Sequence, residues 1–106
     1  VSKFIYIAHP FQGETSNALA VEEIIKKNFS NHVNEFIPIS PIHAFGYLYD
    51  SIDYIAGMDL CLSLLDKCDI IIMCGDWKNS KGCLLEYFHA KASGKIILKQ
   101  EELDGM

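Results

Sequence analysis

The run Asp69 to Cys74 (DIIIMC) constrains this chain more than any other stretch. It is too short for a helix of ordinary length, and its successive apolar side chains alternate between the two faces of a strand. Both faces must then be buried, as in a parallel sheet covered by helices on each side. Lys3 to Ala8 (KFIYIA) repeats the pattern. Between these two runs, and after the second, the spacing changes from strand-like to helical. Leu19, Val21, Ile24, Ile25 and Phe29 predict a helix that starts at an N-cap among Thr15, Ser16 and Asn17 and ends near Asn31. Ile55, Met58, Asp59, Leu62 and Leu65 predict another over about residues 53–67. A third is expected from Lys81 to Ser93, with Leu84, Leu85, Phe88 and Ala92 inward and Gly94 at its C-terminal cap. Val33 to Ile39 contains a shorter strand (EFIPI), and Pro38 within it favours a sheet edge. Pro41 to Asp53 reads as an aromatic loop without a period, Lys95 to Leu98 as a last strand, and Glu101 to Met106 as a polar, frayed tail.

The resulting order is β-α-β-α-β-α-β. Right-handed crossovers make this an α/β fold: a flavodoxin-like, doubly wound parallel sheet of four to five strands in the order 2-1-3-4. At 106 residues the chain suffices for one domain, residues 1–106. Its net charge of −5 and lack of clustered cations argue against binding to nucleic acid or an anionic membrane. No apolar run approaches the ~20 residues that span a bilayer. Cys61, Cys68, Cys74 and Cys83 lie in or beside apolar segments without a C-x-x-C pair, which points to reduced thiols and a cytoplasmic setting.

In this topology ligands sit beyond the carboxyl ends of the strands where the order reverses, here between the first and third strands. Ala8–Thr15 and Gly75–Gly82 converge there, Tyr6 lies near the exit of the first strand, and the aromatic loop can fold over the same edge. Glu86 lies just over one turn inside the third helix, where the helix dipole favours a carboxylate. Asp59 shares a stripe with Ile55, Leu62 and Leu65, so it is expected at a core-facing position that needs a partner or a site. Ser80 is a natural N-cap, and the N–H groups of Ser80, Lys81 and Gly82 can cradle an anion. Trp77, in the loop before that helix, either packs on a core edge or stacks on a base. His9, His32, His43 and His89 have no metal spacing, and neither metal nor cofactor is expected.

Four segments resemble, in order, the nucleoside 2-deoxyribosyltransferase superfamily, and most closely its short bacterial and phage members. They are Ile5-Tyr6-Ile7-Ala8 with Gly13 in the following turn, Met58-Asp59-Leu60, Asp69-Ile70-Ile71-Ile72, and Trp77-Lys78-Asn79-Ser80-Lys81-Gly82 with Glu86 and Ala90-x-x-x-Gly94-Lys95. The resemblance implies a glutamate nucleophile at Glu86 attacking the anomeric carbon of a 2-deoxyribosyl group, with Tyr6 orienting it and Asp59 placing or protonating the substrate. Members acting on free nucleosides tend to carry an acid where this chain has Ser80, whereas those hydrolysing nucleoside 5′-monophosphates carry Ser. The nucleotide hydrolases also place a small residue and an Arg where Pro10 and Gln12 stand here. The transferases use a longer C-terminus, which completes the neighbouring subunit's pocket. The expectation is therefore a hydrolase (N-glycosidase) acting on a (deoxy)nucleotide, in a homodimer or larger homo-oligomer, with Ser80, Gly82, Gly13, Gln12 and Trp77 binding substrate. The alternatives are a non-catalytic nucleotide-binding module and a nucleoside 2-deoxyribosyltransferase.

Overall fold

The first strand sorts the molecule into layers, because neighbouring residues of a strand face opposite ways. In a computed structural model, which describes residues 2–104, β1 (Lys3–Ala8) sends Ile5 and Ile7 to one face of the sheet and Tyr6 and Ala8 to the other. β3 (Ile70–Met73) does the same with Ile70 and Ile72 against Ile71 and Met73, and every one of its residues is buried. With β2 (Phe36–Ile39) and β4 (Ile96–Lys99) they form a four-stranded sheet in the order β2-β1-β3-β4. All three pairings are parallel, with Tyr6 opposite Ile39 on one side and Ile71 on the other. β2 is an edge strand, as Pro38 predicts.

α1 (Thr15–Phe29) covers the face of Ile5 and Ile7 with Val21, Ile24 and Phe29. α3 (Tyr54–Asp66) and α4 (Lys81–Ala92) cover the face of Tyr6 with Leu65, Cys83 and Ala90. Tyr6 therefore points into the layer that carries Glu86, which follows from the strand's parity alone.

Several elements differ from the sequence expectation. The N-cap of α1 is Glu14, without a side-chain cap bond, and Asn17 instead donates from Nδ2 to the Phe11 carbonyl at 2.9 Å. The aromatic segment is partly helical: α2 (Pro41–Phe45) is followed by a 3₁₀ turn over Gly46–Leu48. Pro41, read as the start of a loop, occupies the first turn of α2, where its missing N–H costs nothing. Ser40 caps it by accepting from the His43 N–H at 3.3 Å. The tail forms α5 (Gln100–Asp104), with Leu103 buried in the α1-side core. Glu102 accepts from the Lys99 N–H at 3.1 Å, the returning half of a capping box. The expected frayed end, residues 105–106, lies outside the described residues.

The inward faces of α3 and α4 are also rotated from expectation. α3 buries Gly57, Cys61 and Leu65, and leaves Ile55 73% exposed and Asp59 exposed beside it. α4 buries Cys83, Glu86 and Ala90, and turns Leu85, Phe88 and Ala92 outward. Leu65 packs inward as its stripe predicts, with Leu62 and Leu84 half-buried against the same core; the rest of the stripes misled because small residues and one carboxylate make the other tight contacts of these helices with the sheet.

Candidate active site

The carboxyl ends of β1 and β3 open onto a cleft of about 470 Å³. Its floor is Glu86, with Cys83, Gly82, Lys81 and Ser80 along the first turns of α4. One wall is the β1–α1 turn, from His9 to Gly13. The other is Tyr54, Gly57, Met58 and Cys61 of α3, with Tyr49, Ile52 and Asp53 before it. The aromatic segment thus folds over the edge that topology indicated.

Glu86 is only 6% exposed. Burial disfavours its charge and pushes its pKa up to about 7, partly offset by the hydrogen bond from Tyr6. The Tyr6 hydroxyl donates to Glu86 Oε2. Tyr6 is fully buried, and burial followed by the neighbouring carboxylate holds its own pKa well above the ordinary phenol value. The phenol therefore stays a proton donor. Among the described residues none donates to Oε1, and that oxygen is left to the cleft. Such a carboxylate is oriented through one oxygen and available through the other, at a pKa suited to both nucleophilic and proton-transfer chemistry near neutrality.

Ser80 caps α4, its Oγ accepting from the Cys83 N–H at 3.2 Å. Gly82 runs against α3: a Cβ there would meet Met58 Sδ at 3.6 Å, an ordinary contact. The Lys81 ammonium lies 5.7 Å from the centre of the Tyr54 ring. Gln12 and Gly13 have φ of 53° and 72°, and the Glu14 N–H closes the turn onto the Phe11 carbonyl at 2.9 Å. Positive φ at both central positions is the type I′ arrangement. Gln12 holds a left-handed backbone unusual for its residue type, and strain of this kind concentrates at ligand sites. A smaller polar recess of about 210 Å³ adjoins the cleft through His9, Gln12 and Ser80.

Of the residues singled out in the sequence, Glu86, Tyr6, Ser80, Gly82, Gly13 and Gln12 come together here. Two do not. Asp59 lies on the outward stripe of α3, away from the cleft lining; the second carboxylate on the wall is Asp53, whose Oδ1 caps α3 by accepting from the Ala56 N–H at 2.8 Å. Trp77 is buried in the core on the Tyr6 face, stacked on Tyr87 at 5.2 Å, and is no part of the cleft lining. Sequence reasoning missed His9, Tyr49, Tyr54, Asp53, Cys61 and Cys83. The signal for Cys61 and Cys83 was their place among small, buried helix residues, which also describes plain packing. No disulfide joins the four cysteines, and burial pushes Cys83 up to about 12, so it is a thiol here.

Elsewhere, Ser40 Oγ lies 2.8 Å from His43 Nδ1, and His43 Nε2 lies 3.0 Å from Glu22. The connectivity is that of a hydrolytic triad, but Ser40 Oγ serves as the helix cap, all three side chains lie outside the cleft, and the cluster works as a surface brace. Among the described residues no group of three or more His, Cys, Asp or Glu is arranged to hold a metal ion, and no helix is long and apolar enough to cross a membrane.

A family model described as "Domain of unknown function (DUF4406)" matches residues 3–99. The chain belongs to the DUF4406 family. Among solved structures, this DUF4406 chain is similar to a 2-desoxiribosyltransferase from Leishmania mexicana, with a TM-score of 0.66 and 21% identity. The match covers 92% of this chain and 63% of the Leishmania chain, and it shows a shared fold. A comparison with curated proteins gives no match.

Proposed function

We propose that this protein cleaves the base–sugar bond of a (deoxy)nucleoside 5′-monophosphate, with Glu86 as the nucleophile. The observation that carries this reading is the buried Glu86, held by Tyr6 through one oxygen with the other left to the cleft. In the first displacement an ionised Glu86 oxygen bonds to the anomeric carbon, the carbon–nitrogen bond breaks, and its electron pair leaves on the base. The departing nitrogen takes a proton from water, which Asp53 on the cleft wall can relay. Water then attacks the same carbon, loses a proton and releases Glu86 as the carboxylate. Two displacements retain configuration.

The apolar wall of Phe11, Ile42, Tyr49 and Ile52 suits the flat base. The phosphate falls to the start of α4, where Ser80, the free N–H groups of the first turn and Lys81 gather, and where Gln12 and Gly13 face them. The chain has no arginine, so helix dipole and Lys81 carry the anion. If a second base takes the place of water, the same intermediate yields transfer.

The rival reading is a nucleotide-binding module without turnover. What favours it is the outward position of Asp59, which takes away the aspartate that the superfamily resemblance put in the site. A product assay separates the two: the common ribo- and deoxyribonucleoside 5′-monophosphates are incubated with wild type and Glu86→Gln, and free base is measured by chromatography. Hydrolysis predicts base release by wild type only. Release by neither, with saturable binding in calorimetry, leaves the module.

The protein's proposed setting is the cytoplasm, where buried thiols stay reduced. Its proposed partner is a second copy, docked on the outer face of α3 and α4. Ile55, Leu85 and Phe88 make that face apolar. Its exposed charges are self-complementary: Asp59 and Asp66 on α3, Lys91 on α4. A two-fold axis that sets α3 of one copy against α4 of the other pairs these signs.

A further inference from the structure

The polar recess beside the cleft has no part in the proposed reaction. His9, Gln12 and Ser80 line both cavities, so the two communicate at the start of α4. With the 5′-phosphate seated at that junction, a group joined to its far side enters the recess. We infer that the recess is a subsite for a hydroxylated group carried on the phosphate, so that the protein also takes nucleotides of the nucleotide-sugar class, which rests on the proposed phosphate seat at Ser80.

The lining selects this occupant. Asn79 Nδ2 donates to Asp76 Oδ1 at 2.8 Å, which fixes both side chains and leaves Asp76 Oδ2 to accept from a ligand. Asn17 spends Nδ2 on the Phe11 carbonyl at 2.9 Å and keeps Oδ1 as a second acceptor. Ser80 Oγ accepts from the Cys83 N–H and retains its own proton to donate, and the Gln12 amide can do either. Carboxylate and amide oxygens that take protons, beside groups that give them, suit hydroxyls, which do both. Neither Lys nor Arg lines the recess, and the Asp76 carboxylate repels an anion, so a second phosphate fits poorly. Only Pro10 of the lining lacks a polar side chain, so an apolar group would strand polar atoms. The volume of about 210 Å³ is that of roughly seven liquid waters, room for one sugar-sized group.

The recess is also set before a ligand arrives. His9 Nδ1 donates to the Pro10 carbonyl at 2.7 Å, and its ring lies against Gly75, where a Cβ would come within 2.6 Å. Gln12 holds its left-handed backbone at φ 53°. Groups already fixed lose little freedom on binding.

The test separates binding from turnover. Glu86→Gln, which cannot form the glycosyl bond, is titrated by calorimetry with AMP, ADP and ADP-glucose, and with the matching uridine and thymidine series. In the series that binds, the sugar nucleotide is expected to bind about tenfold tighter than the diphosphate. Asp76→Asn, added to Glu86→Gln, removes the charge and keeps an acceptor for Asn79. It is expected to weaken the sugar nucleotide and strengthen the diphosphate, so that their affinity ratio falls about tenfold. A damaged fold would weaken both together. Base release by wild type is measured separately: tighter sugar-nucleotide binding without release retires the glycosidase reading and keeps the subsite. Sugar nucleotides that bind no tighter than monophosphates and diphosphates, a ratio unmoved by Asp76→Asn, or no binding in any series overturns the subsite, whatever the activity.

Discussion

Burial of Glu86 makes the stability of the fold depend on pH. Its folded-state pKa of about 7 lies above the unfolded value of 4.5, so between those pH values the native state binds more protons than the unfolded chain. The stability contributed by the neutral acid is complete below pH 4.5 and is lost as pH rises through 7, at a cost of roughly 3 kcal/mol. Glu86→Gln still accepts from Tyr6 but never ionises. It is expected to be more stable than wild type at pH 8 by up to roughly 3 kcal/mol, and equal to it at pH 4, in denaturant titrations at the two pH values. The carboxylates on α3 give a second prediction. Asp53→Asn keeps the helix cap and removes the carboxylate that relays the proton on the cleft wall, so base release should fall ten- to a hundredfold in kcat. Asp59→Asn, on the outward stripe, should leave kcat within twofold. Equal losses in both variants would restore Asp59 to the site. The place of Glu86 in the cleft was legible in the sequence, because the helix after the third strand starts at the topological switch point, while its role as nucleophile came from the family resemblance. Asp59 was misread because its stripe was apolar in composition although exposed in space.

At the scale of elements, the loops that build the cleft are joined by a contact that only glycine permits. Gly75, after β3, has φ +61°, and a Cβ there would lie 2.6 Å from His9 Nε2. Gly75→Ala is expected to cost at least ~2 kcal/mol, and His9→Ala in the same background to recover part of it by removing the ring. Thermal melts of the two single variants and the double variant measure this. Gly13 and Gly94 also have positive φ but open space around them, so alanine there should cost only about 1 kcal/mol. The strands were legible because runs such as DIIIMC can be satisfied only between two helical layers. The segment from Pro41 to Leu48 was not, since five-residue α2 and the 3₁₀ turn are too short to show a period. The rotation of α4 was hidden for a related reason: its buried face carries Cys83, Glu86 and Ala90, and hydropathy does not mark these as inward.

For the whole molecule, chain order and handedness rules were enough to place β2-β1-β3-β4 and the switch point, because four parallel strands with right-handed crossovers leave few arrangements. They could not show which surface remains apolar. Phe88 is 60% exposed on the α3–α4 face, so Phe88→Glu should convert a wild-type dimer into a monomer with an unchanged circular dichroism spectrum. Light scattering at matched concentrations reads the outcome, and a monomeric wild type or a dimeric variant would remove this interface. The central claim is that Glu86 becomes bonded to the sugar, and intact-mass analysis of rapidly quenched protein tests it most directly. Wild type mixed with the deoxynucleotide that best releases base should carry an adduct of the sugar phosphate, located on Glu86 by peptide mapping and missing from Glu86→Gln. Base release by wild type and by Glu86→Gln at equal rates, with no adduct on either, would contradict the account.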